Sequence, residues 1–290
     1  MTIKNGQNRK IGVYMIDNNP LKQYFRRPAL YLKLPSEGVG YSPNVLQLPE
    51  NGELPVYPMT AVDEITTKTP DALYNGMAVI EVIKSCIPAI KDPWQITSID
   101  LDAILVAIRI ATNGNEMEID TVCPNCEEMN KYGLNLTGIL SKLKPGNFNE
   151  ELKIGSLKVK FRPLSFKESN KGNIAQVEMQ RVLNNINSIE DEEKRAKVTS
   201  EGLTKISKIG MEIIASTIDY IEMPDGVKVS DKKYIQDFLE NTDKKTYTTI
   251  REHSITLRQN TEIKPLQMKC VHCKHEYEQP FTLNISDFFA

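Results

Sequence analysis

Cys123-Pro124-Asn125-Cys126 is the first of two C-x-x-C motifs in the chain, and Cys270-Val271-His272-Cys273 is the second. Together they use four of the five cysteines. Two sulfurs at this spacing can hold one ion because the tight turn points both inward, and two such turns complete the tetrahedron that Zn²⁺ prefers. The sequence therefore predicts one structural zinc site whose ligands are Cys123, Cys126, Cys270 and Cys273.

The separation of the two motifs along the chain is unusual. There are 143 residues between Cys126 and Cys270, whereas a compact zinc ribbon has about 15–20. Extended stretches lead into the motifs at 116–122 and 263–269, and others leave them at 132–136 and 277–283. We expect two strand-turn-strand units around one ion, with a domain-sized insertion between them.

Other uses of these cysteines have less support from the surrounding residues. A redox C-x-x-C needs a strand-to-helix context, and disulfides are disfavoured because residues 1–8 lack the apolar core of a secretory signal peptide. His272 and His275 offer alternative ligands, but four thiolates already fill the site. A catalytic zinc would need an open position and a general base, and we identify neither. Cys86 fits a small core residue.

Composition and charge indicate a soluble protein with one large or two moderate domains. The chain has 290 residues, 40% hydrophobic and 26% charged, with a formal net charge of −2 and a pI near 6.0. A general polyanion binder usually has a basic domain or face, so this balance argues against one. The sequence contains no apolar run of about 18 residues, so we expect no membrane span.

The predicted fold class is α+β: a zinc-ribbon-like four-cysteine β module with a large, mostly helical insertion, preceded by a proline-rich extended arm and two helices. Residues 1–70 form the arm, because their prolines disfavour continuous helix; it folds either on the rest of the chain or on a partner. Residues 71–136 plus 262–290 form a helical base with the discontinuous ribbon. Residues 137–261 form the insertion lobe.

Two helices are predicted in the base. Thr69-Pro70-Asp71 suits a helix start, and apolar residues continue along one side to Cys86. The second helix runs from Asp100 to Ile110, is apolar on most faces and ends at Gly114.

The insertion begins with a strand over 157–162, and Ser165 with Glu168 forms a capping-box pattern. Two amphipathic helices follow from these apolar positions: Val177, Val182, Leu183, Ile186 and Ile189, then Leu203, Ile206, Ile209, Ile213, Ile214 and Ile218. The charge run 190–195 between them is typical of an exposed helix start. Pro224-Asp225-Gly226 predicts a hairpin turn, Ser230 or Asp231 caps a helix through Leu239, and His253 is expected on a helix surface.

Several separate motifs also carry a family resemblance. They are Leu34-Pro35-Ser36-Glu37-Gly38, Leu73-Tyr74-Asn75-Gly76-Met77-Ala78-Val79-Ile80, Asp102 through Arg109, Cys123-Pro124-Asn125-Cys126, Asp225-Gly226-Val227-Lys228-Val229-Ser230-Asp231 and the second cysteine motif. This ordered set resembles the T4-type myovirus baseplate hub and hub-assembly family over most of the chain. Only the four cysteines match site residues of that family.

The resemblance implies a bacteriophage tail protein without enzymatic activity. Such a protein helps to build the central hub of a contractile-tail baseplate, as a hub subunit or as an assembly chaperone. Its partners would be hub or other tail proteins. It would act in the host cytoplasm during assembly or in the tail baseplate of the virion.

Two other function classes stay open. A nucleic-acid-binding zinc ribbon is supported by Lys131, Lys269, Lys274 and His275 and opposed by Glu127 and Glu128 beside the first motif. An enzyme is the least supported class, because G-x-x-x-x-G-K-[ST], H-E-x-x-H and G-x-S-x-G do not occur, and we expect no small-molecule substrate.

Overall fold

A computed structural model describes residues 19–69, 76–186 and 191–281, without the side chains of 182–186. These residues contain eight α-helices: α1 (Ala61–Thr67), α2 (Met77–Cys86), α3 (Ser98–Asn113), α4 (Leu136–Leu140), α5 (Phe166–Ile186), α6 (Glu192–Thr217), α7 (Lys232–Asn241) and α8 (Lys244–Gln259). Short 3-10 helices cover Pro20–Tyr24 and Pro93–Gln95. The predicted mixture of helices and sheets is confirmed.

All strand pairings are antiparallel in the described part of the chain. The strands are β1 (Leu30–Lys33), β2 (Glu53–Val56), β3 (Glu116–Val122), β4 (Met129–Asn135), β5 (Glu151–Ile154), β6 (Leu157–Phe161), β7 (Ile218–Glu222), β8 (Lys228–Val229), β9 (Leu266–Lys269) and β10 (Glu276–Gln279). Three pairs, β1–β2, β3–β4 and β9–β10, are separate two-stranded sheets, and β5-β6-β7-β8 form the fourth sheet.

The N-terminal segment packs on its own chain. The β1–β2 hairpin buries Leu32, Leu54 and Val56 in the same hydrophobic cluster as α2 and α3. The prediction of extended chain is wrong over Ala61–Thr67, which is helix α1. Thr60 and Asp63 form a capping box there, with the Asp63 carboxylate accepting from the Thr60 N–H at 2.7 Å.

Helices α2 and α3 form the centre of this first cluster. Ile80 and Ile83 of α2 are fully buried. In α3, residues 103–109 are buried without interruption, and the helix ends as predicted at Gly114, its C-cap, with φ 90°. The predicted helix start at Thr69-Pro70-Asp71 lies largely outside the described residues. The described helix begins only at Met77, because Gly76 adopts the left-handed region at φ 80°.

A buried carboxylate ties the N-terminal segment to α3. Asp100 is fully buried and accepts hydrogen bonds from the Ser36 N–H at 2.9 Å and from the Tyr41 hydroxyl at 2.7 Å. Burial and the charge of Asp100 raise the pKa of Tyr41. The Leu34–Gly38 motif therefore has a structural role at this junction.

A second hydrophobic cluster lies in the insertion. It joins β6, β7 and helices α6 to α8 through buried residues that include Val159, Phe161 and Ile235. The Ser165–Glu168 capping box is confirmed, since the Ser165 N–H donates to the Glu168 carboxylate at 2.9 Å. Ile218 is not in a helix as predicted: α6 ends at Thr217, and Ile218 is the first, buried residue of β7.

Local capping accounts for the other elements of the insertion. The Asp191 side chain accepts hydrogen bonds from the N–H groups of residues 193 and 194, so helix α6 begins within the charge run, as predicted. Residues 187–190, including Ile189, lie outside the described range. Gly226 at φ 84° closes the predicted β7–β8 hairpin, and Asp231 caps α7. None of the helices within the described ranges combines the length and apolar character of a membrane span.

His253 lies on helix α8, as predicted, but it is half-buried. Its ring lies 5.0 Å from that of Phe161, a residue of the second cluster, centroid to centroid. Its Nε2 atom is buried without a hydrogen-bond partner in the part of the chain that the structure describes.

Candidate metal centre

The two cysteine motifs are the turns of two β-hairpins. Strand β3 ends one residue before Cys123, and Val122 pairs with Met129 at the start of β4. Strand β9 ends one residue before Cys270, and Lys269 pairs with Glu276 at the start of β10. A strand is confirmed on each side of both motifs, although those at the second motif are shorter than the predicted 263–269 and 277–283, of which 282 and 283 lie outside the described residues. We call the two hairpins, residues 116–135 and 266–279, the cysteine module.

The backbone geometry of one motif is repeated in the other. The N–H of Cys123 donates to the Glu128 carbonyl at 3.0 Å, and that of Cys270 to the His275 carbonyl at 2.9 Å. The residue after each second cysteine has a left-handed φ, 59° at Glu127 and 64° at Lys274, and its N–H donates back to the carbonyl of the first cysteine. Each turn is held in a conformation that directs its two sulfurs to the same side.

The four sulfurs meet although the motifs are far apart in the sequence. The Sγ atoms of Cys123 and Cys273 are 3.7 Å apart, those of Cys126 and Cys270 are 3.6 Å apart, and all four lie within 4.8 Å of one another. A tetrahedral site with Zn–S bonds of about 2.3 Å has sulfur–sulfur edges of about 3.8 Å. A disulfide would need about 2.05 Å. The donor set and its size fit one tetrahedral ion such as Zn²⁺.

The surroundings favour thiolates at the second motif. Burial alone would raise the pKa of Cys270, but N–H groups of Cys273 and His272 and the neighbouring thiols lower it to about 6. The pKa of Cys273 is also lowered, first by the backbone N–H of His275 and then by the Asn125 amide, which lies 3.6 Å from its sulfur. Metal-binding cysteines must be deprotonated, so both shifts favour binding at the second motif. At the first motif, an N–H group of Glu128 lowers the pKa of Cys126, but burial and the other three thiols raise it to about 12.

Polar side chains join the two hairpins beside the cysteines. The Thr121 and Tyr277 hydroxyls are 2.6 Å apart, and the Tyr132 hydroxyl donates to the Lys269 carbonyl at 2.9 Å. The buried Asn130 accepts from the Val271 N–H at 2.9 Å and donates to the Glu128 carbonyl at 2.9 Å. Sequence analysis did not identify these residues. The sequence signal that could have identified them is the alternation of side chains along β3 and β4, which places Thr121, Asn130 and Tyr132 on one face.

The basic residues near the motifs do not form a free cationic surface. Lys131 lies 4.0 Å from Asp120, and Lys269 lies 3.0 Å from Glu276. The Lys274 amine donates to the Val271 carbonyl. The His275 ring lies against Tyr277, with centroids 6.4 Å apart. Exposed groups beside these lysines include the acidic Glu127 and Glu128, the apolar Val122, Met129 and Val271, and the polar Asn125 and His272.

Cys86 lies away from the cluster, as expected of a core residue. It is fully buried in α2, and burial with the charge of Asp63 raises the pKa of its thiol to about 12. The nearby Arg26 guanidinium, 3.9 Å from the sulfur, also bonds the Ser85 carbonyl and hydroxyl.

Comparison with known proteins shows a family similarity. The family model described as T4 bacteriophage base plate protein matches residues 43–290, a range that contains both cysteine motifs. Searches of curated proteins and of solved structures found no match.

Proposed function

Because this chain belongs to the T4 bacteriophage base plate protein family, we propose that it acts in assembly of the baseplate hub, as a hub subunit or as a hub assembly chaperone. The family match over residues 43–290 carries this proposal. The hub role is more specific than membership of the baseplate family. It rests on the resemblance of the ordered motifs from Leu34 to the second cysteine pair.

We propose a structural metal clasp as the physical basis of this role. Cys123, Cys126, Cys270 and Cys273 would hold one Zn²⁺ ion, and the cysteine module would be a zinc ribbon interrupted by the insertion. The sulfur spacing and the set of four thiol donors support a closed site. Structural zinc contributes on the order of 10 kcal/mol in small peptides, so a clasp of this kind would hold both ends of the insertion on a rigid base.

In this role the protein is not an enzyme and acts through contacts with other proteins. Its partners are baseplate hub or tail proteins. It is expected in the host cytoplasm during assembly and, for a subunit, in the tail of the virion. The exposed Glu127 and Glu128 beside the first motif argue against a nucleic-acid-binding ribbon, because their carboxylates repel phosphates.

An affinity pull-down from infected cells tests the association. The tagged full-length protein is expected to recover hub proteins, whereas recovery of nucleic acid without tail proteins would overturn the proposal. Quantitative mass spectrometry of purified particles then separates the two roles. A subunit is present at fixed stoichiometry, and an assembly chaperone is absent.

A further inference from the structure

A groove lies where the insertion meets the rest of the chain. It has a volume of about 790 Å³ and is lined by Ile139 and residues 141–144, at and after the end of α4, and by residues 260–267, from the end of α8 to the start of β9. The two chain segments that connect the insertion to the cysteine module therefore form its two walls.

The floor and rim of the groove differ in chemistry. Ile139 and Leu143 from one wall, with Ile263 and Leu266 from the other, supply buried or half-buried apolar surface. Lys142, Lys144 and Lys264 are exposed and supply positive charge at the rim.

The groove carries a positive charge on a chain that is negative as a whole. Glu262 is its single lining carboxylate among the described residues, and it is engaged by the Arg258 Nε at 3.0 Å. The side-chain amines of Lys142 and Lys144 make no hydrogen bond or ion pair with any described residue. The amine of Lys264 donates one hydrogen bond, to the Gln259 carbonyl at 2.9 Å, and keeps its charge. The formal net charge of the whole chain is −2, so these lysines are a local excess.

We propose that this groove binds an acidic, amphipathic segment of a partner protein. The apolar side of the segment would cover the aliphatic floor, and its carboxylates would face the three lysines, which is the usual arrangement when an amphipathic helix lies in a groove. A single-stranded nucleic acid fits less well, because the described lining contains no aromatic side chain on which a base could stack.

The groove extends the proposed function to a second surface, distinct from the cysteine cluster. It rests on the proposed function only in taking the partner to be a baseplate protein. Its three lysines and the floor residues Ile139, Leu143 and Ile263 lie outside the cysteine module, whereas the floor residue Leu266 belongs to β9 of that module. Binding to the groove can therefore be tested separately from hub association.

Fluorescence anisotropy with a model peptide tests the groove. The probe is an 18-residue labelled amphipathic helix with leucine on one face and glutamate on the other, and the protein is the full chain loaded with zinc. We expect the variant K142E/K144E/K264E to bind about tenfold more weakly than the wild type, because each attraction becomes a repulsion.

The control variant K153E/K167E/K208E makes the same change in net charge at exposed lysines outside the groove. We expect it to weaken binding less than about twofold, because charges farther than about 8 Å are screened at physiological salt. Metal content and the thermal midpoint of each variant confirm that the fold is retained.

Three outcomes would overturn the groove proposal. They are failure of the wild type to bind the acidic peptide, equal weakening by both triple variants, and displacement of the peptide by a 20-nucleotide single-stranded DNA through the same three lysines. A leucine–lysine peptide and a scrambled acidic peptide are expected to bind more weakly than the amphipathic one. Absence of hub proteins in the pull-down would instead count against the proposed function alone.

Discussion

The four clustered cysteines are not equivalent in their surroundings. Cys123 and Cys270 are fully buried, Cys126 is half-buried and Cys273 is exposed. Each motif therefore provides one sulfur from inside the fold and one from nearer its surface. Removal of a buried sulfur would open the coordination and also leave a gap between the hairpins.

Serine substitution of either buried cysteine is expected to remove the metal. In Cys123→Ser or Cys270→Ser, three thiolates remain and the closed tetrahedron is lost, so the metal content should fall from one ion per chain to near zero. The free energy of unfolding should fall by about 3 kcal/mol or more, since metal binding is coupled to folding. Elemental analysis of the purified protein and urea titration measure the two effects.

Cys86→Ala is the matched control for that pair. It also removes a buried thiol, but one that lies away from the cluster. The control should keep one ion per chain while losing about 1 kcal/mol of stability through the small cavity. Unchanged metal content in Cys123→Ser would contradict the proposed ligand set.

The Asp102 carboxylate on α3 is expected to make the free energy of unfolding depend on pH. Burial, and secondly the negative charge of Glu262, raise the pKa of Asp102 to about 6. The pKa in the unfolded chain is about 3.9, so the folded state binds the proton more tightly. Stability from this group is fully present below about pH 4 and is lost as the pH rises through about 6.

Asp102→Asn should therefore stabilise the protein at neutral pH. We expect a gain of about 1–2 kcal/mol at about pH 7.5, below the full value of the shift because the side chain is only partly shielded, and little change at about pH 4. Urea titrations at both pH values measure it. Asp120→Asn, at an exposed carboxylate of β3, should change stability by less than about 0.5 kcal/mol; a larger gain there than at Asp102 would contradict the assignment.

Two glycines, one inside a helix and one at a helix start, should respond in opposite directions to alanine. A Cβ at Gly210 in α6 would meet nothing within 4 Å, so Gly210→Ala should stabilise by about 1 kcal/mol through helix propensity. A Cβ at Gly76 would lie 2.9 Å from the Asn170 amide nitrogen at a φ of 80°, so Gly76→Ala should destabilise by about 1–2 kcal/mol. Thermal denaturation compares them, and a shift of the same sign in both would contradict this account of α2 and α6.

The sequence predicted elements best where their determinants are local. The buried pattern of α3, the Ser165–Glu168 box and the Gly226 turn all depend on neighbouring residues. The sequence does not predict helix α1, because the prolines near the Thr60–Asp63 capping pair favour extended chain. It predicts Ile218 in a helix because its spacing continues the helical period, but pairing with β6 places Ile218 in β7.

The same distinction applies to the metal centre. The four cysteines could be identified because two residues separate each pair, a local spacing with a defined chemistry. Contacts such as Thr121 with Tyr277 and Asn130 with Val271 could not, because each joins residues more than 140 positions apart. Their register depends on how the two hairpins face each other.

The described residues contain two hydrophobic clusters, and Phe166 at the start of α5 packs in the first of them. The first includes the β1–β2 hairpin, α2, α3 and α4, and Ile263 and Phe281 pack against it from beyond the insertion. The second lies within 159–257. The division into residues 1–70, 71–136 plus 262–290, and 137–261 stays a prediction.

Removal of the metal should unfold the cysteine module while the two hydrophobic clusters stay folded. After chelation, amide hydrogens of β3, β4, β9 and β10 should exchange rapidly, because these two-stranded sheets have few buried apolar residues. Those of α2 and α3 should stay protected by the first cluster. Hydrogen exchange with mass spectrometry measures this, and simultaneous loss of protection throughout the chain would contradict a local clasp.

Complementation of a phage that lacks this gene tests the central claim most directly, with tails inspected by electron microscopy. The wild type and Cys86→Ala should restore complete baseplates, whereas the double variant Cys123→Ser/Cys270→Ser should yield tails without an assembled hub. Normal baseplates with the double variant would contradict the role of the metal clasp, and normal baseplates in the deletion itself would contradict the role in hub assembly.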